Sequence, residues 1–395
     1  MVKEICDSKK CTGCAACRDI CPKQCISMCF DSLDALHPFI DETKCINCGL
    51  CFKTCPNNVE LLYNRPEKNW AAWSKNEDIR RTSASGGIAC ELYHYWIENG
   101  GVAAGVVFER ESGCHFVLIE KLQDIPATQN SKYTFSDTNG IYKIVKQKLH
   151  ENIPVLFIGV PCQVAGLYSF LKKKYENLVT VDIICHGMPP ASYLLQHIEY
   201  IEYNKKSKAN QISFRDPEYL TYTFTFTLRN TLNQVFYHKR VLSSDNYQLG
   251  YHRALLYREN CYSCKYARKE RISDLTIGDF SGLGYFAPCN FNNLNVSCVL
   301  QNTDVGARLL DKMSSRLIMF ERPMEEAFEV ELQLKAPSVK HKFRTVFEEY
   351  YSKTHNFEIS ANAALKKEKL IAIKTSFILM IRHFVHDILT FFYIR

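Results

Sequence analysis

Two similar stretches determine the fold of the first part of the chain: CTGCAACRDICP at residues 11–22 and CINCGLCFKTCP at residues 45–56. Both follow the spacing Cys-x2-Cys-x2-Cys-x3-Cys, and a proline follows the fourth cysteine. Three thiolates spaced in this way can surround one face of an iron-sulfur cubane, while the fourth reaches across to a second cubane. The repeat therefore predicts a domain built around two 4Fe-4S clusters, whose metal supplies much of the core.

The crossing pattern assigns the eight cysteines to two clusters. One cluster takes Cys11, Cys14, Cys17 and Cys55, and the other takes Cys45, Cys48, Cys51 and Cys21. Structural zinc is the alternative, because paired Cys-x2-Cys motifs also occur in zinc ribbons. The third cysteine and the Cys-Pro in both copies favour clusters, and this part of the chain resembles bacterial two-cluster ferredoxins. Gly13 and Gly49 are expected to let the backbone turn tightly around the sulfide cores.

Composition gives the setting for this chemistry. Nineteen cysteines occur in 395 residues, and residues 1–10 lack the apolar run of a secretory signal. We therefore expect metal ligation in a reducing, cytoplasmic compartment rather than a disulfide framework. The net charge of +7 is dispersed, which argues against nucleic-acid binding and suits electrostatic attraction of an acidic redox partner.

Beyond a polar stretch at residues 61–80, which we interpret as a linker, strand and helix patterns alternate. This order predicts a mixed α/β core. The predicted strands are 102–108, 154–158, 178–185, 221–228, 272–278 and 296–300. The predicted helices are 88–98, 164–175, 192–203, 305–314 and 323–332. The predicted domains are the two-cluster domain at 1–60, the main domain at 81–335, with parts at 81–153 and 154–335, and a tail at 336–395.

The end of the chain, residues 370–395, is rich in Ile, Leu and Phe but is interrupted by charged residues. It is too broken for a transmembrane helix, so we expect a partly amphipathic helix. Packing on its own domain or a partner is one interpretation. Peripheral contact with the inner face of a membrane is the other.

Three motifs in the main domain carry candidate chemistry. Residues 83–87, Ser-Ala-Ser-Gly-Gly, precede a predicted helix and suit a phosphate, although an N-cap serine with a flexible glycine pair is the simpler alternative. Cys162 and Cys185 follow predicted strands, where α/β proteins form ligand sites. With Cys261 and Cys264 they provide four thiolates for a third cluster. The two-cluster module passes single electrons, so the rest of the chain is expected to hold a centre that joins one-electron to two-electron chemistry, usually flavin.

These motifs together resemble the coenzyme F420 hydrogenase/dehydrogenase beta-subunit family over roughly residues 80–335. The matching segments are Ser-Ala-Ser-Gly-Gly at 83–87, Gly-Val-Pro-Cys-Gln at 159–163, Cys-His-Gly at 185–187, Phe-Arg-Asp at 214–216, Cys-Tyr-Ser-Cys-Lys at 261–265 and Gly-Asp-Phe at 278–280. The family includes deazaflavin-oxidising hydrogenase subunits, chlorophyll-pathway reductases, and ferredoxin-fused bacterial members, some linked with surface-polysaccharide synthesis.

The resemblance implies FAD and a third 4Fe-4S cluster. Flavin would be contacted by Ser83, Ser85, Gly86 and Gly87, and the cluster would be held by Cys162, Cys185, Cys261 and Cys264. Among these, Cys162 could instead be a redox or packing residue. The fold class predicted overall is α+β: a small ferredoxin-like two-cluster domain, a mixed α/β flavin- and iron-sulfur-binding domain, and a helical C-terminal tail.

The remaining candidates are weighed against simpler roles. His186 is the candidate proton donor beside the flavin, with a capping or core role as the alternative. Asp279 either contacts flavin or caps a turn, and Arg215 with Asp216 is interpreted as a buried pair. Seven cysteines without paired spacing are interpreted as buried small hydrophobes: Cys6, Cys25, Cys29, Cys90, Cys114, Cys289 and Cys298.

The predicted function is an iron-sulfur flavoprotein oxidoreductase that connects ferredoxin or another redox protein with a small-molecule substrate at the flavin. The alternative is an electron-delivery subunit for a partner enzyme, for example one in surface-polysaccharide synthesis. A third interpretation keeps the clusters as structural staples. The motifs do not predict a deazaflavin pocket.

Overall fold

The computed structural model describes residues 4–241 and 243–371. It confirms the predicted fold class. A small domain built on the two cysteine motifs precedes a mixed α/β domain with a nine-stranded sheet. The described residues contain no helix that is both long enough and apolar enough to cross a membrane.

In the small domain, each cysteine motif forms a loop that ends in a short helix. These helices are α1 (Ala16–Asp19) and α2 (Leu50–Thr54). Between them lies an antiparallel hairpin of β1 (Ile26–Phe30) and β2 (Leu36–Ile40), with Ile26 opposite Ile40. The four-residue and five-residue helices bury little apolar surface, so packing by itself leaves this domain a small core.

The sequence repeat extends to the backbone conformation of the two loops. The third residue of each motif is left-handed, with φ of 70° at Gly13 and 55° at Asn47. The fifth residue is also left-handed, with φ of 58° at Ala15 and 70° at Gly49. Glycine occurs once in each pair, at a different position, so the turns are a property of the cysteine spacing rather than of glycine alone.

The main sheet has the strand order β14-β3-β13-β12-β8-β7-β4-β5-β6. Its central strands β12, β8, β7 and β4 run parallel to one another, and antiparallel strands flank them. The nine strands are β3 (Lys68–Ser74), β4 (Val102–Glu109), β5 (Gly113–Ile119), β6 (Ser136–Asp137), β7 (Val155–Gly159), β8 (Leu178–Ile183), β12 (Leu275–Asp279), β13 (Ser297–Gln301) and β14 (Leu317–Arg322).

Helices cover both faces of this sheet, as expected for parallel strands that are buried on two sides. One face packs against α5 (Ile141–His150) and α6 (Pro161–Leu171), and the other packs against α4 (Ile88–Glu98) and α9 (Asp304–Lys312). Successive residues of β7 alternate between the two cores, with Phe157 on the first face and Ile158 on the second. This alternation is the period of two that a strand imposes.

A third core lies beside the sheet. It joins the three-stranded sheet β11-β10-β9 to a group of helices. The strands are β9 (Gln211–Ser213), β10 (Phe226–Arg229) and β11 (Val235–Lys239), and the helices are α7 (Ala191–Lys205), α8 (Asn246–His252), α11 (Arg344–Thr354) and α12 (357–371). The remaining helices are α3 (Glu77–Thr82), α10 (Met324–Phe328) and 3-10 turns at Ser8–Lys10, Leu122–Thr128, Pro217–Tyr219, Thr221–Thr223, Glu259–Ser263 and Leu332–Leu334.

Most predicted elements are confirmed within a few residues, but the strand predicted at 221–228 is wrong at its start. Residues 221–223 form a 3-10 turn, and β10 begins only at Phe226. Leu220 and Phe224 are left-handed, with φ of 64° and 51°, and they interrupt the extended chain. Thr223 donates its hydroxyl to the carbonyl of Tyr219 (2.7 Å), which stabilises the turn in place of a strand.

The stretch predicted as a linker, residues 61–80, contains β3 and the start of α3. The strand lies between β14 and β13, and Ala71 and Ala72 are fully buried. The linker interpretation is therefore wrong for residues 68–74: the flanking polar residues suggested a linker, but this strand is buried on both faces. The helix predicted at 323–332 is also shorter: α10 ends at Phe328, and Glu331 then accepts a hydrogen bond from Ser281 (3.0 Å).

The described part of the predicted tail contains two helices, at 344–354 and 357–371, after a non-helical stretch at 336–343. Helices α11 and α12 pack into the third core, through Phe347 and Leu365 among others. The amphipathic helix predicted for 370–395 lies almost entirely outside the described residues, which end at Ile371.

Candidate functional site

The eight cysteines of the two motifs border two separate pockets, and the partition is the crossed one. The first pocket is lined by Cys11, Cys14, Cys17 and Cys55. The second is lined by Cys21, Cys45, Cys48 and Cys51. Sulfur is the dominant donor at both, a set that suits iron-sulfur clusters. In the described ranges, no three Cys, His, Asp or Glu side chains converge closely enough to hold a single metal ion.

The two pockets differ in exposure. All four cysteines of the first pocket are buried, whereas Cys48 in the second is exposed and its three companions are partly exposed. Burial raises the pKa of the Cys14 thiol to about 12. A buried thiolate needs a compensating positive charge, which an iron cluster supplies.

Each of these pockets also has a fifth cysteine that no motif predicts at that place. Cys6 lines the first pocket and Cys25 lines the second, with the Cys25 sulfur 3.4 Å from that of Cys21. Both lie outside the Cys-x2-Cys spacing, so only the folded loops bring them in. Cys29, interpreted as buried, is exposed.

The four cysteines predicted for a third cluster border one pocket of the main domain. Cys162 lies in the first turn of α6 after β7, Cys185 follows β8, and Cys261 and Cys264 lie in and after the 3-10 turn at 259–263. Parallel strands β7 and β8 end at the same edge of the sheet, which explains why their cysteines meet.

Burial raises the pKa of Cys162 well above its usual value and raises that of Cys261 to about 11. Reactive cysteines have a lowered pKa, so this environment argues against a redox-active thiol for Cys162, and the ligand role rests on its position beside Cys185, Cys261 and Cys264. The donors fit a cluster of the same kind as the first two.

A cavity of about 580 Å³ opens beside the third pocket. It lies at the N-terminus of α4 and beyond the ends of β7, β8 and β12, where open α/β sheets bind ligands. Its volume is in the usual range for a cofactor or small-molecule site. Of the residues predicted to contact flavin, Ser83, Ser85, Gly87 and Asp279 line the cavity.

Gly86, also predicted to contact flavin, is not among the lining residues. Its amide donates to the Ser297 hydroxyl (2.9 Å), and a Cβ here would lie 2.3 Å from the Ala72 carbonyl oxygen. Gly86 therefore lets the loop approach the sheet closely. Ser85 is also partly engaged, because its hydroxyl donates to the Val296 carbonyl (3.0 Å).

The predicted pairing of Arg215 with Asp216 is wrong. Arg215 pairs with Asp279, and it also donates to the carbonyl of Ala84 and to the Tyr133 hydroxyl. Asp216 instead pairs with Arg229 (2.9 Å). Adjacent side chains point in different directions, so neighbours in sequence need not pair. Arg215 thus connects three of the motifs around the cavity.

His186 lines both the cavity and the third pocket. Its side chain is 49% exposed, and its Nε2 lies 3.8 Å from a Glu331 carboxylate oxygen. This position is compatible with the predicted proton-donor role and is not that of a buried core histidine.

Two further lining residues carry no sequence motif and were missed. Lys132 is half-buried at the cavity wall, where desolvation lowers its pKa to about 8, and its ammonium donates to the carbonyls of Thr128 and Gln129. His252 has a buried Nε2 without a hydrogen-bond partner among the described residues, and burial lowers its pKa to about 4. The wall therefore combines the neutral imidazole of His252 and the ammonium of Lys132 with the Arg215–Asp279 ion pair and the Glu331 carboxylate.

Comparison with known proteins gives three family matches. Residues 69–143 match the N-terminal model, and residues 154–327 the C-terminal model, of the coenzyme F420 hydrogenase/dehydrogenase beta subunit. Residues 38–59 match a 4Fe-4S binding domain. The two beta-subunit models together cover more than half of the chain.

A coenzyme F420-dependent sulfite reductase from Methanocaldococcus jannaschii is 27% identical over 207 residues, which are 51% of this chain and 31% of that protein. The match thus spans less than a third of the relative. A chain of the F420-reducing [NiFe] hydrogenase complex from Methanosarcina barkeri aligns with 77% of this chain and 91% of its own length, at 16% identity and a TM-score of 0.42.

The family models and the relative are named for coenzyme F420, and none of these names mentions FAD. With its N-terminal 4Fe-4S domain followed by both beta-subunit models in order, this chain belongs to the coenzyme F420 hydrogenase/dehydrogenase beta-subunit family.

Proposed function

We propose that the chain is an iron-sulfur oxidoreductase subunit that passes electrons between a one-electron carrier, such as a ferredoxin, and a two-electron cofactor or substrate in the central cavity. One observation carries this proposal. The third cysteine pocket and the cavity share a wall formed by the stretch from Cys185 to Met188. A proposed cluster ligand, Cys185, and residues that line the cavity are therefore neighbours on one short segment.

The chain's own residues would hold three clusters. The sets are Cys11, Cys14, Cys17 and Cys55; Cys21, Cys45, Cys48 and Cys51; and Cys162, Cys185, Cys261 and Cys264. When bound, such clusters supply one-electron chemistry. The sulfur-rich pockets, the burial of all four cysteines at the first site and the burial of Cys162 and Cys261 at the third support this assignment.

The cavity suits a flavin or a deazaflavin, whose ring supplies two-electron hydride chemistry. The start of α4 offers Ser83 and the free amides of its first turn to a phosphate. The Arg215–Asp279 pair holds the opposite motifs in place. FAD is the cofactor that the sequence resemblance implied, and coenzyme F420 is the candidate substrate that the family name suggests. We propose His186 as the residue that exchanges a proton with the ligand, since it faces the cavity and is partly exposed.

The alternative, an electron-delivery subunit for a partner enzyme, is favoured by one observation. The matched region is only 31% of the curated relative, so in that protein it is joined to other parts. On this proposal the partner would carry the substrate site. The isolated chain, without a ferredoxin or a membrane, is enough to distinguish this delivery subunit from the oxidoreductase.

The test is to purify the protein without oxygen and to measure iron, acid-labile sulfide, flavin and deazaflavin per chain. Three clusters predict about twelve irons. The double variant Cys261→Ser and Cys264→Ser should lose about four of them. Cys29→Ser, at an exposed cysteine that lines none of the three pockets, is the matched control and should lose none.

Reduction of added F420 or of a bound flavin by a chemical one-electron donor separates the two functions. Turnover by the isolated chain supports the oxidoreductase. About twelve irons without any cavity ligand or turnover would support the delivery subunit. About eight irons in the unmodified protein would contradict the third cluster.

A further inference from the structure

Arg258 is buried between the first and third cysteine pockets, with only 2% of its surface exposed. Its Nη2 donates to the carbonyls of Leu36 (2.9 Å) and Cys11 (3.3 Å), and the guanidinium lies over the Phe135 ring at 4.9 Å. Its backbone carbonyl accepts from the amide of Cys261 (3.0 Å). One residue therefore contacts a ligand of the first site and a ligand of the third.

Arg258 lacks the carboxylate partner that other buried arginines have. Arg271 pairs with Asp182 (2.7 Å) and Arg344 pairs with Glu348 (2.7 Å). Within residues 4–241 and 243–371, Arg258 forms no ion pair with Asp or Glu. A buried charge without a counter-charge is costly, so the neighbouring sites must supply the negative charge.

Four thiolates around a 4Fe-4S core leave a net negative charge, so two such sites provide it. The chain makes room for this contact at Gly13. A Cβ there would lie 3.0 Å from Nη2 of Arg258 and 3.2 Å from Phe135. The equivalent residue in the second motif, Asn47, is exposed and keeps its side chain.

A second cation lies at the contact between the first and third sites, which we call the seam. It lies at the other end of the Cys261-x2-Cys264 turn. Lys265 donates its ammonium to the carbonyl of Pro56, the residue after Cys55. The Cys14 sulfur lies 3.1 Å from the position of a Cβ at Gly166, one helical turn after Cys162. The first and third sites are therefore in direct packing contact, with two cations at the seam.

We propose that Arg258, assisted by Lys265, is the counter-ion shared by the first and third clusters, and a positioning residue for electron exchange between them. This inference rests on the proposed function, because it requires both clusters. Addition of an electron makes a cluster more negative, and a fixed cation nearby stabilises that reduced state. The two residues therefore raise the midpoint potentials of the first and third clusters relative to the second.

The experiment is a potentiometric titration of the full chain, followed by electron paramagnetic resonance. In Arg258→Met, the midpoint potentials of the first and third clusters should shift to more negative values. Arg258→Lys, which keeps the charge, should restore them largely. Lys312→Met removes an exposed charge at the end of α9, which packs on the opposite face of the main sheet, and should leave the potentials of the first and third clusters unchanged.

Retention of about twelve irons with unchanged potentials in Arg258→Met would overturn the inference while leaving the proposed function intact. Absence of the third cluster from the unmodified protein would instead refute the proposed function. Because a buried arginine variant can fail to fold, Lys265→Met at an exposed residue is the second test. A negative shift confined to the first and third clusters supports the inference, and an unchanged set of potentials overturns it.

Discussion

The two cysteine motifs share their spacing and their backbone turns, yet they occupy opposite environments. The first is enclosed by the main domain: all its cysteines are buried, and Thr138 donates to the carbonyl of Cys14 (3.2 Å). The second faces outward, with Cys48 and Ile46 exposed. The local sequence fixes how a motif would hold metal, whereas tertiary contacts fix what each motif faces. The buried motif suits exchange with the main domain, and the exposed one suits an external carrier.

Replacement of one cysteine in each motif should give the largest difference between the two environments. Cys14→Ser should cost about four irons and also loosen the seam with the main domain, because Cys14 belongs to its core. Cys48→Ser should also cost about four irons but leave the seam intact. Limited proteolysis and iron content measure both effects. Equal protection of the seam from proteolysis in the two variants would contradict the assignment of the first motif to the core.

A rise in pH should weaken a region remote from both motifs. His197 lies between the carboxylates of Glu358 (2.5 Å) and Asp245 (2.9 Å). Burial alone would lower the pKa of His197, but these carboxylates outweigh it and raise the pKa to about 9, above the ordinary value of 6.5. The pair network therefore contributes stability in full below pH 6.5, and that contribution is lost as the pH rises through 9.

The loss should amount to roughly 3 kcal/mol of unfolding free energy. Urea unfolding at several pH values measures it, and His197→Gln, which cannot be protonated, should remove most of the pH dependence in this window. Iron content should stay the same throughout. An unchanged slope in His197→Gln would show that another group is responsible.

Gly166→Ala should open the seam by overpacking. The added Cβ would lie 2.7 Å from the Tyr142 hydroxyl and 3.0 Å from Cβ of Cys14. Such crowding typically costs about 1–3 kcal/mol. Unfolding followed by cluster absorbance should show the loss mainly in the first motif. Combination with Tyr142→Phe, which removes the hydroxyl, should recover part of the stability. No recovery would mean that the destabilisation comes from the contact of the new methyl group with Cys14 and not from its contact with Tyr142.

The smallest expected effect comes from the third position of each motif. Gly13→Ala should cost about 1–2 kcal/mol, because alanine is strained at φ of 70° and its Cβ would contact Arg258. Asn47→Ala, at the matching exposed residue, should cost less than about 1 kcal/mol. Chemical denaturation of the two variants gives the difference. Equal costs would show that backbone strain, and not the approach of Arg258, determines the glycine.

Part of the candidate site could be predicted from sequence because its residues follow fixed spacings. The partition of the eight motif cysteines and the position of Cys162 and Cys185 beyond two parallel strands are examples. The Arg215–Asp279 pair could not be predicted, since 64 residues separate its members. Lys132 and His252 also lack any local pattern. The strand at 68–74 was missed because burial on both faces leaves no alternation to detect.

The cysteine loops, the fold class and the family could be read from the amino-acid sequence, because they depend on spacing and on order along the chain. The enclosure of the first motif, the exposure of the second, and the contact of Gly13 with Arg258 while Asn47 faces outward became apparent from the folded chain. The physical reason is that burial and charge compensation depend on segments distant in sequence. A motif repeated in one chain can specify its own turns, but its surroundings come from whatever the rest of the fold packs against it.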